Sequence, residues 1–143
     1  MASPVELRKY MLHKPITVKP EMTVFEAAHQ ILSHSVSGVC VVDDDENLVG
    51  MLSELDCLRA IVESYKKDGN VAPGLVADAM TPQVEVNHPH DDIISVASSM
   101  LDHKHRRRPV SVDGKLVGQI TCRQILKAIK DFAAPTDPTE RTQ

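Results

Sequence analysis

The chain has no tryptophan, and its 143 residues include only two tyrosines and two phenylalanines. With so few aromatic side chains, the core must be built mainly from aliphatic residues. No apolar run approaches the roughly 20 residues that a membrane-spanning helix needs. The first eleven residues, MASPVELRKYM, lack the apolar centre of a signal peptide. We therefore expect a cytoplasmic protein that forms one domain or two very small units.

Cysteine is scarce as well. Cys40, Cys57 and Cys122 are scattered, odd in number and not arranged as C-x-x-C. Neither a disulfide framework nor a zinc knuckle is therefore indicated, and a reducing compartment is expected. The net charge of −4 disfavours bulk attraction to nucleic acid or to an anionic membrane.

The sequence contains an internal duplication. Residues 47–61, NLVGMLSELDCLRAI, are matched by residues 115–129, KLVGQITCRQILKAI. Upstream of these segments an offset of 69 aligns Met11 with Met80 and Leu32 with Leu101, and one residue is then lost in a loop. A single register that holds over about fifty residues in each half indicates a repeat.

Each half has the same predicted order of elements. Apolar residues at helical spacing predict helices over 23–34 and 92–103, the first with Thr23 and Glu26 as a capping box and the second capped by Asp92. The remaining predicted elements are strands at 38–43, 48–52, 108–112 and 116–120, helices at 54–65 and about 122–132, and short extended segments at 15–18 and 83–86.

The predicted fold is therefore α/β, made of two β-α-β-β-α repeats. We place repeat 1 at 5–65, a linker at 66–77, repeat 2 at 78–132 and a disordered tail at 133–143. A unit of about fifty residues buries little surface alone, so we expect the two repeats to pack sheet against sheet around one shared core.

Three motifs carry a resemblance to a known family. They are PITVKPEMTVFEAA behind Met11, VSGVCVVDDDENLVGMLSELD at 36–56, and RRRPVSVDGKLVGQI at 106–120. Their order and duplication resemble a tandem pair of CBS domains, the cystathionine-β-synthase-type repeat that is also called a Bateman module. The resemblance spans roughly residues 5–132. It implies a pseudo-twofold axis between the repeats and two clefts that commonly bind adenosine-containing ligands.

The resemblance also implies how such a protein works. The regulatory ligand would be AMP, ADP, ATP or S-adenosylmethionine, and sometimes NAD, with no required cofactor. The module would be no enzyme, would form a homodimer, and would act in trans on a regulated protein. A second interpretation is a ligand-free module for protein–protein interaction and dimerisation.

Ser53 and Asp56 match the most informative family signature, a hydroxyl followed three places later by an acid. The resemblance implies that Asp56 holds the ribose hydroxyls, at a helix N-terminus that favours anions. A simpler interpretation is that Ser53 is an N-cap and that Asp56 is one of the acidic residues in the first turn of the helix. The second half has Thr121 and Gln124, and an amide cannot present two charged acceptors to a diol. One ligand per chain is therefore expected.

Further ligand contacts are implied by the resemblance. The base would lie against Ile16, Thr17, Ser37, Gly38 and Val39. Phosphates would meet the basic run at His105, Arg106, Arg107 and Arg108, and the hydroxyl of Thr121 is a further candidate. The same run is also compatible with a solvated loop or a nucleic-acid patch. The negative charge and the few aromatic residues disfavour nucleic acid.

Metal binding and catalysis have little support in the sequence. His88 and His90 form a His-x-His pair near His103 and His105, but no acid or cysteine stands beside them at a recognisable ligand spacing. Nucleophile and Gly-rich phosphate motifs are absent from the sequence. Cys57 aligns with the apolar Ile125 of the second half and is expected to be a core thiol.

Overall fold

A computed structural model describes residues 5–133 of the chain. The predicted mixed α/β architecture is confirmed, with two three-stranded sheets. The strands are β1 (Leu12–His13), β2 (Thr17–Val18), β3 (Gly38–Val42), β4 (Leu48–Ser53), β5 (Arg107–Val112) and β6 (Lys115–Thr121). The α-helices are α1 (Val24–Ser33), α2 (Glu54–Asp68), α3 (Val76–Ala79), α4 (Ile93–His103) and α5 (Cys122–Ala133), and a 3₁₀ turn covers Leu7–Lys9.

The strand order of the two sheets shows an exchange of segments. One sheet has the order β2-β3-β4, with β2 parallel to β3, and belongs to the first repeat. The other has the order β1-β6-β5 and is antiparallel throughout. The N-terminal strand β1 therefore completes the sheet of the second repeat.

The segment before the second repeat makes the reciprocal contacts. Thr81 pairs with Met51 of β4, as Leu12 pairs with Gln119 of β6. Val76 is fully buried in the first repeat, and its counterpart Leu7 is fully buried in the second. Each repeat is thus completed by the segment that precedes the other in the chain.

The two hairpin turns meet at the centre of this arrangement. The Leu48 N–H donates to the Gly114 carbonyl at 2.9 Å, and the Leu116 N–H donates to the Glu46 carbonyl at 3.1 Å. Leu48 and Leu116 are equivalent in the two repeats, as are Glu46 and Gly114. The two bonds exchange partners in the way that a pseudo-twofold axis requires.

The buried apolar side chains form two clusters, one in each repeat, so the expectation of one shared core is wrong. The exchanged segments supply the surface that each small unit lacks alone. Glycine allows their close approach: a Cβ at Gly50 would lie 2.7 Å from the Thr81 carbonyl oxygen, and one at Gly118 would lie 2.8 Å from the Met11 sulfur. Cys57 is buried in the first cluster, as predicted.

The predicted helix starts are confirmed by their caps. Thr23 and Glu26 form the capping box of α1, with both hydrogen bonds at 3.1 Å. Asp92 caps α4 by accepting from the Ser95 N–H at 3.1 Å. These side chains satisfy N–H groups that the first turn of a helix leaves without partners.

Two expectations about individual elements differ from the structure. The strand predicted at 83–86 is wrong, since that stretch has only an isolated bridge beside it, between Asn87 and Val110. Helix α2 runs three residues beyond its predicted end and stops at Gly69, whose φ of 73° suits glycine. Helix α5 extends to Ala133, the last described residue, and the rest of the predicted tail lies outside the described residues.

The exchange predicts a large effect from a residue near the N-terminus. Leu7→Ala should lower the free energy of unfolding by about 2–5 kcal/mol, because it empties a buried site in the second repeat. Urea denaturation measures this change. The matched control is Leu12→Ala, whose side chain is 47% exposed and whose loss should cost about 0.5 kcal/mol. Equal small effects of both variants would contradict the exchange.

Candidate ligand-binding cleft

A cleft of about 650 Å³ lies between the two repeats. One wall comes from the start of β3 and the junction of β4 with α2, and includes Ser37, Gly38, Ser53 and Asp56. The opposite wall is the approach to β5, residues 104–107. A second cavity of about 770 Å³ shares His105 and Arg107 with it, among others. A ligand in the cleft would therefore contact both repeats.

Ser53 and Asp56 form a capping box at the start of α2. The Ser53 Oγ accepts from the Asp56 N–H at 3.1 Å, and the Asp56 Oδ2 accepts from the Ser53 N–H at 2.9 Å. The N-cap interpretation of Ser53 is therefore confirmed. It uses one carboxylate oxygen and fixes the side chain on the wall of the cleft.

The second oxygen of Asp56 has a replaceable partner. Its Oδ1 accepts from the Arg59 guanidinium at 3.0 Å. The Asp56 side chain is only 12% exposed, whereas that of Arg59 is 60% exposed. Because the Arg59 side chain lies mostly in solvent, it can leave Asp56 Oδ1 without a buried cation losing its partner.

The second repeat keeps the capping box with a different residue. The Gln124 Oε1 accepts from the Thr121 N–H at 2.9 Å, and the Thr121 Oγ1 accepts from the Gln124 N–H at 3.2 Å. The Gln124 amide oxygen thus accepts the same capping hydrogen bond as the Asp56 carboxylate does in the first repeat. What the second repeat lacks is the negative charge and the second acceptor oxygen.

Gly38 leaves room beside the capping box. It lies opposite Ser53 in the β3–β4 pair, and the Ser37 carbonyl accepts from the Glu54 N–H at 2.9 Å. A Cβ at Gly38 would lie 2.6 Å from Nη1 of Arg107 and 3.0 Å from the Leu52 carbonyl oxygen. The absent side chain therefore allows a group from the second repeat to approach the backbone here.

Arg107 is that group, and it occupies the position in the second repeat that Gly38 has in the first. Its side chain lines both cavities and is half-buried. Burial lowers the pKa of its guanidinium, against the opposing influence of Cys40 and Glu54. Burial also raises the pKa of the Cys40 thiol to about 12, so that thiol stays protonated.

The two repeats therefore differ at three equivalent positions of the binding region. The second repeat has Arg106 for Ser37, Arg107 for Gly38 and Gln124 for Asp56. All three changes remove features that the resemblance associates with base or ribose. They make the two sides of the pseudo-twofold axis chemically unlike.

The structure brings seven of the twelve predicted ligand-binding residues to this cleft, namely Ser37, Gly38, Ser53, Asp56, His105, Arg106 and Arg107. Five others do not line it, namely Ile16, Thr17, Val39, Arg108 and Thr121. Val39 and Arg108 are buried. Each follows a cleft-lining residue in its strand, Gly38 or Arg107, and its side chain therefore points to the opposite face of the sheet. Ile16 packs against the first core, and Thr17 pairs with Cys40 in the sheet.

Sequence reasoning missed part of the wall. Thr81 reaches the cleft at the end of the exchanged segment, Val84 follows it, and Lys104 and Glu54 flank the predicted residues. The exchange itself had no signal in the local sequence pattern. Lys104 directly precedes the predicted residues 105–108, so including the whole basic loop among the candidate phosphate contacts would have identified it.

No cluster of three or more metal-ligating side chains occurs within the part of the chain that the structure describes. The rings of His103 and His105 lie 5.3 Å apart, as do those of His88 and His90. Likewise, within residues 5–133, no helix has the length and apolar character needed to cross a membrane.

Comparison with known proteins identifies the family. The sequence model of the CBS domain matches residues 7–63 and 76–131. An uncharacterised protein of Methanocaldococcus jannaschii, MJ1225, is 32% identical over 123 residues, which are 86% of this chain and 42% of that protein. The chloroplastic CBS domain-containing protein CBSX1 of Arabidopsis thaliana is 32% identical over 135 residues, covering 78% of this chain and 57% of that protein. The chain thus spans less than two thirds of either relative.

A solved structure agrees with these matches. The complex of Arabidopsis CBSX2 with AMP superposes with a TM-score of 0.79 at 30% identity, covering 89% of this chain and 97% of that one. Since the two matched ranges fall on the two structural repeats, the chain belongs to the CBS domain family and is a tandem pair of its domains.

Proposed function

We propose that the cleft beside Asp56 binds a 5′-phosphorylated adenosine such as AMP, ADP or ATP. The observation that carries this proposal is a carboxylate held at a helix N-terminus, beside the side-chain-free Gly38 and opposite the cationic approach to β5. The CBSX2 complex with AMP, at 30% identity, supports the ligand class.

The residues present suit such a ligand. Asp56 would accept hydrogen bonds from the ribose hydroxyls. The base would approach the backbone at Gly38 when the Arg107 guanidinium, which lies beside Gly38 in the structure, turns toward the phosphates. Arg107 offers a planar guanidinium, which matches phosphate oxygens better than an ammonium does. A volume of about 650 Å³ lies within the range of small-molecule sites, about 300–1,000 Å³.

The charges of the cleft favour an anionic ligand. Its wall carries Lys104, Arg106 and Arg107 against Glu54 and Asp56. When the ribose hydroxyls donate to Asp56, the side chains of Lys104, Arg106 and Arg107 are available to the phosphates. S-adenosylmethionine has no phosphate and a net positive charge, since its sulfonium and ammonium outweigh its one carboxylate, so we expect it to bind less tightly than AMP.

We propose a regulatory role rather than a catalytic one, in a cytoplasmic protein. Because the cleft has walls from both repeats, a ligand that contacts both would favour one relative arrangement of them. The shift cannot exceed the difference in the ligand's affinity for the two arrangements. A partner protein that contacts this chain in trans would respond to that arrangement. The free thiols of Cys40, Cys57 and Cys122 are compatible with a reducing compartment.

The capping boxes supply a matched variant for testing the ligand. Asp56→Gln copies the residue of the second repeat, so it should keep the cap and change the free energy of unfolding by less than about 1 kcal/mol. It removes the charged acceptor, and AMP affinity should fall about 10- to 100-fold. Isothermal titration calorimetry measures the affinity, and thermal unfolding monitors the fold.

The control for this experiment is the reverse exchange. Gln124→Asp restores the acid in the second repeat, but Arg107 still occupies the position of Gly38, so binding should remain at one ligand per chain. Normal AMP affinity in Asp56→Gln would refute the ribose role. Two ligands per wild-type chain would refute the single site. Absence of binding by AMP, ADP, ATP, NAD and S-adenosylmethionine would favour the interaction module described next.

A second proposed property, self-association, is supported by exposed leucines at equivalent positions. Leu32 and Leu58 of the first repeat correspond to Leu101 and Leu126 of the second, and all four are 57–79% exposed. Between α1 and α2, Leu32 and Leu58 border a groove of about 240 Å³. We propose a second copy of the chain as the partner, because the pseudo-twofold axis gives each chain two similar patches that one symmetric partner could cover.

The double variant Leu58→Lys with Leu126→Lys should convert a dimer to a monomer, because it places two charges in the apolar contact. Sedimentation equilibrium measures the mass of each protein. The control is Val71→Lys, which adds one positive charge at an exposed linker residue and should leave the dimer intact. A wild-type monomer at all accessible concentrations would refute self-association without affecting the ligand proposal.

A further inference from the structure

Arg108 is a buried cation at a position where the first repeat has an apolar residue. It is 2% exposed, and its counterpart Val39 is part of the first core. Burying a charge is costly unless the group is hydrogen-bonded. Among the described residues, no carboxylate forms an ion pair with Arg108. Its hydrogen bonds must therefore end on neutral acceptors.

The principal acceptor is His105. The Arg108 Nε–H donates to the His105 Nδ1 at 3.1 Å, and a longer contact of 3.5 Å joins Nη1 to the Asn87 Oδ1. A guanidinium has no acceptor atom, so the His105 Nδ1 must present a lone pair. His105 is then neutral and carries its proton on Nε2.

His103 does not compete for this role. Its Nδ1 lies 2.8 Å from the Ser99 carbonyl oxygen, which only accepts, so that nitrogen carries a proton. The approach of Arg108 Nη2 to the same nitrogen, at 3.3 Å, is then not a hydrogen bond. The two neighbouring rings therefore differ at Nδ1. That of His103 carries a proton toward the Ser99 carbonyl, and that of His105 presents a lone pair to the Arg108 guanidinium.

His105 lines both the Asp56 cleft and the adjoining cavity. Burial lowers the pKa of His105, Arg108 and His103 lower it further, and Glu85 opposes them. The cations Lys104, Arg106 and Arg107 share the same wall of the cleft. The imidazole is thus kept neutral among groups that would repel a second positive charge.

We propose that Arg108 is a positioning residue, which fixes His105 in the neutral Nε2–H form as a hydrogen-bond donor on the wall of the cleft. The role of that donor toward a phosphate oxygen rests on the proposed function, whereas the state of His105 does not. Acid would protonate Nδ1, remove the acceptor of Arg108 and bring two cations together inside the fold.

The test is ¹⁵N NMR of the imidazoles in the full chain, with the His105 signals assigned by their loss in His105→Gln. In the wild type, Nε2 of His105 should carry the proton and Nδ1 should not, and the ring should titrate below the ordinary histidine range. A proton on Nδ1 would overturn the proposal without the use of any Arg108 variant.

Arg108→Met removes the donor and suits a position that is apolar in the first repeat. It should give His105 a mixture of tautomers and raise its pKa toward the ordinary value. Arg123→Met, at an exposed arginine on α5, is the matched control and should change neither property. A purely structural role of Arg108 would leave the tautomer as it is. Unchanged His105 signals in a folded Arg108→Met protein would therefore refute the positioning role.

Calorimetry with AMP gives the second readout. Arg108→Met should weaken binding on the order of tenfold, as expected for the loss of one well-placed hydrogen bond, while Arg123→Met keeps wild-type affinity. A changed tautomer with unchanged affinity would refute the donor role of His105. No AMP binding by the wild type would count against the proposed function instead, and the NMR result would still decide the state of His105.

Discussion

The reciprocal exchange of two short segments is the constraint on which the other features depend. Residues 5–13 complete the sheet and core of the second repeat, and residues 75–81 complete those of the first. A repeat without its borrowed segment would leave a sheet edge unpaired and a core open, at a size where little surface is buried to begin with. The exchange therefore couples the two repeats and fixes the cleft between them, because Thr81 reaches its wall on an exchanged segment.

On this nearly symmetric frame the chemistry is asymmetric. The backbone contacts recur at equivalent positions. The Glu54 N–H donates to the Ser37 carbonyl, and the Cys122 N–H donates to the Arg106 carbonyl, both at 2.9 Å. The side chains at these positions differ, and the basic residues of the second repeat line the cleft that contains Asp56. Duplication thus supplied two similar walls, one of which carries the acidic Asp56 and the other the cations Lys104, Arg106 and Arg107.

The sequence pattern predicted the local elements well because they depend on local physics. Helix α1 follows from apolar spacing and from Thr23 as its cap, and the duplication follows from one alignment register. The exchange was not predictable in this way, since a two-residue strand such as β1 carries no signal for its distant partner. Residues 83–86 were wrongly predicted as a strand because their local pattern does not show whether a partner strand is present. Their segment makes only isolated bridges. Arg108 is buried. Predicting this would have required the register of β5, and a run of three arginines does not show which of them faces the interior.

At Asp56 the capping box and the proposed ligand site use the same side chain. A carboxylate used for binding must be held in place, and a carboxylate held by a helix N-terminus is already oriented and stabilised. Asp56 meets both needs because one oxygen accepts the Ser53 N–H while the other faces only the exposed Arg59. Gln124 shows which part of this arrangement is structural, since an amide there keeps the cap at 2.9 Å. The acid is not required for the fold, and its presence in one repeat alone therefore points to a demand outside the fold, which a ribose diol would meet.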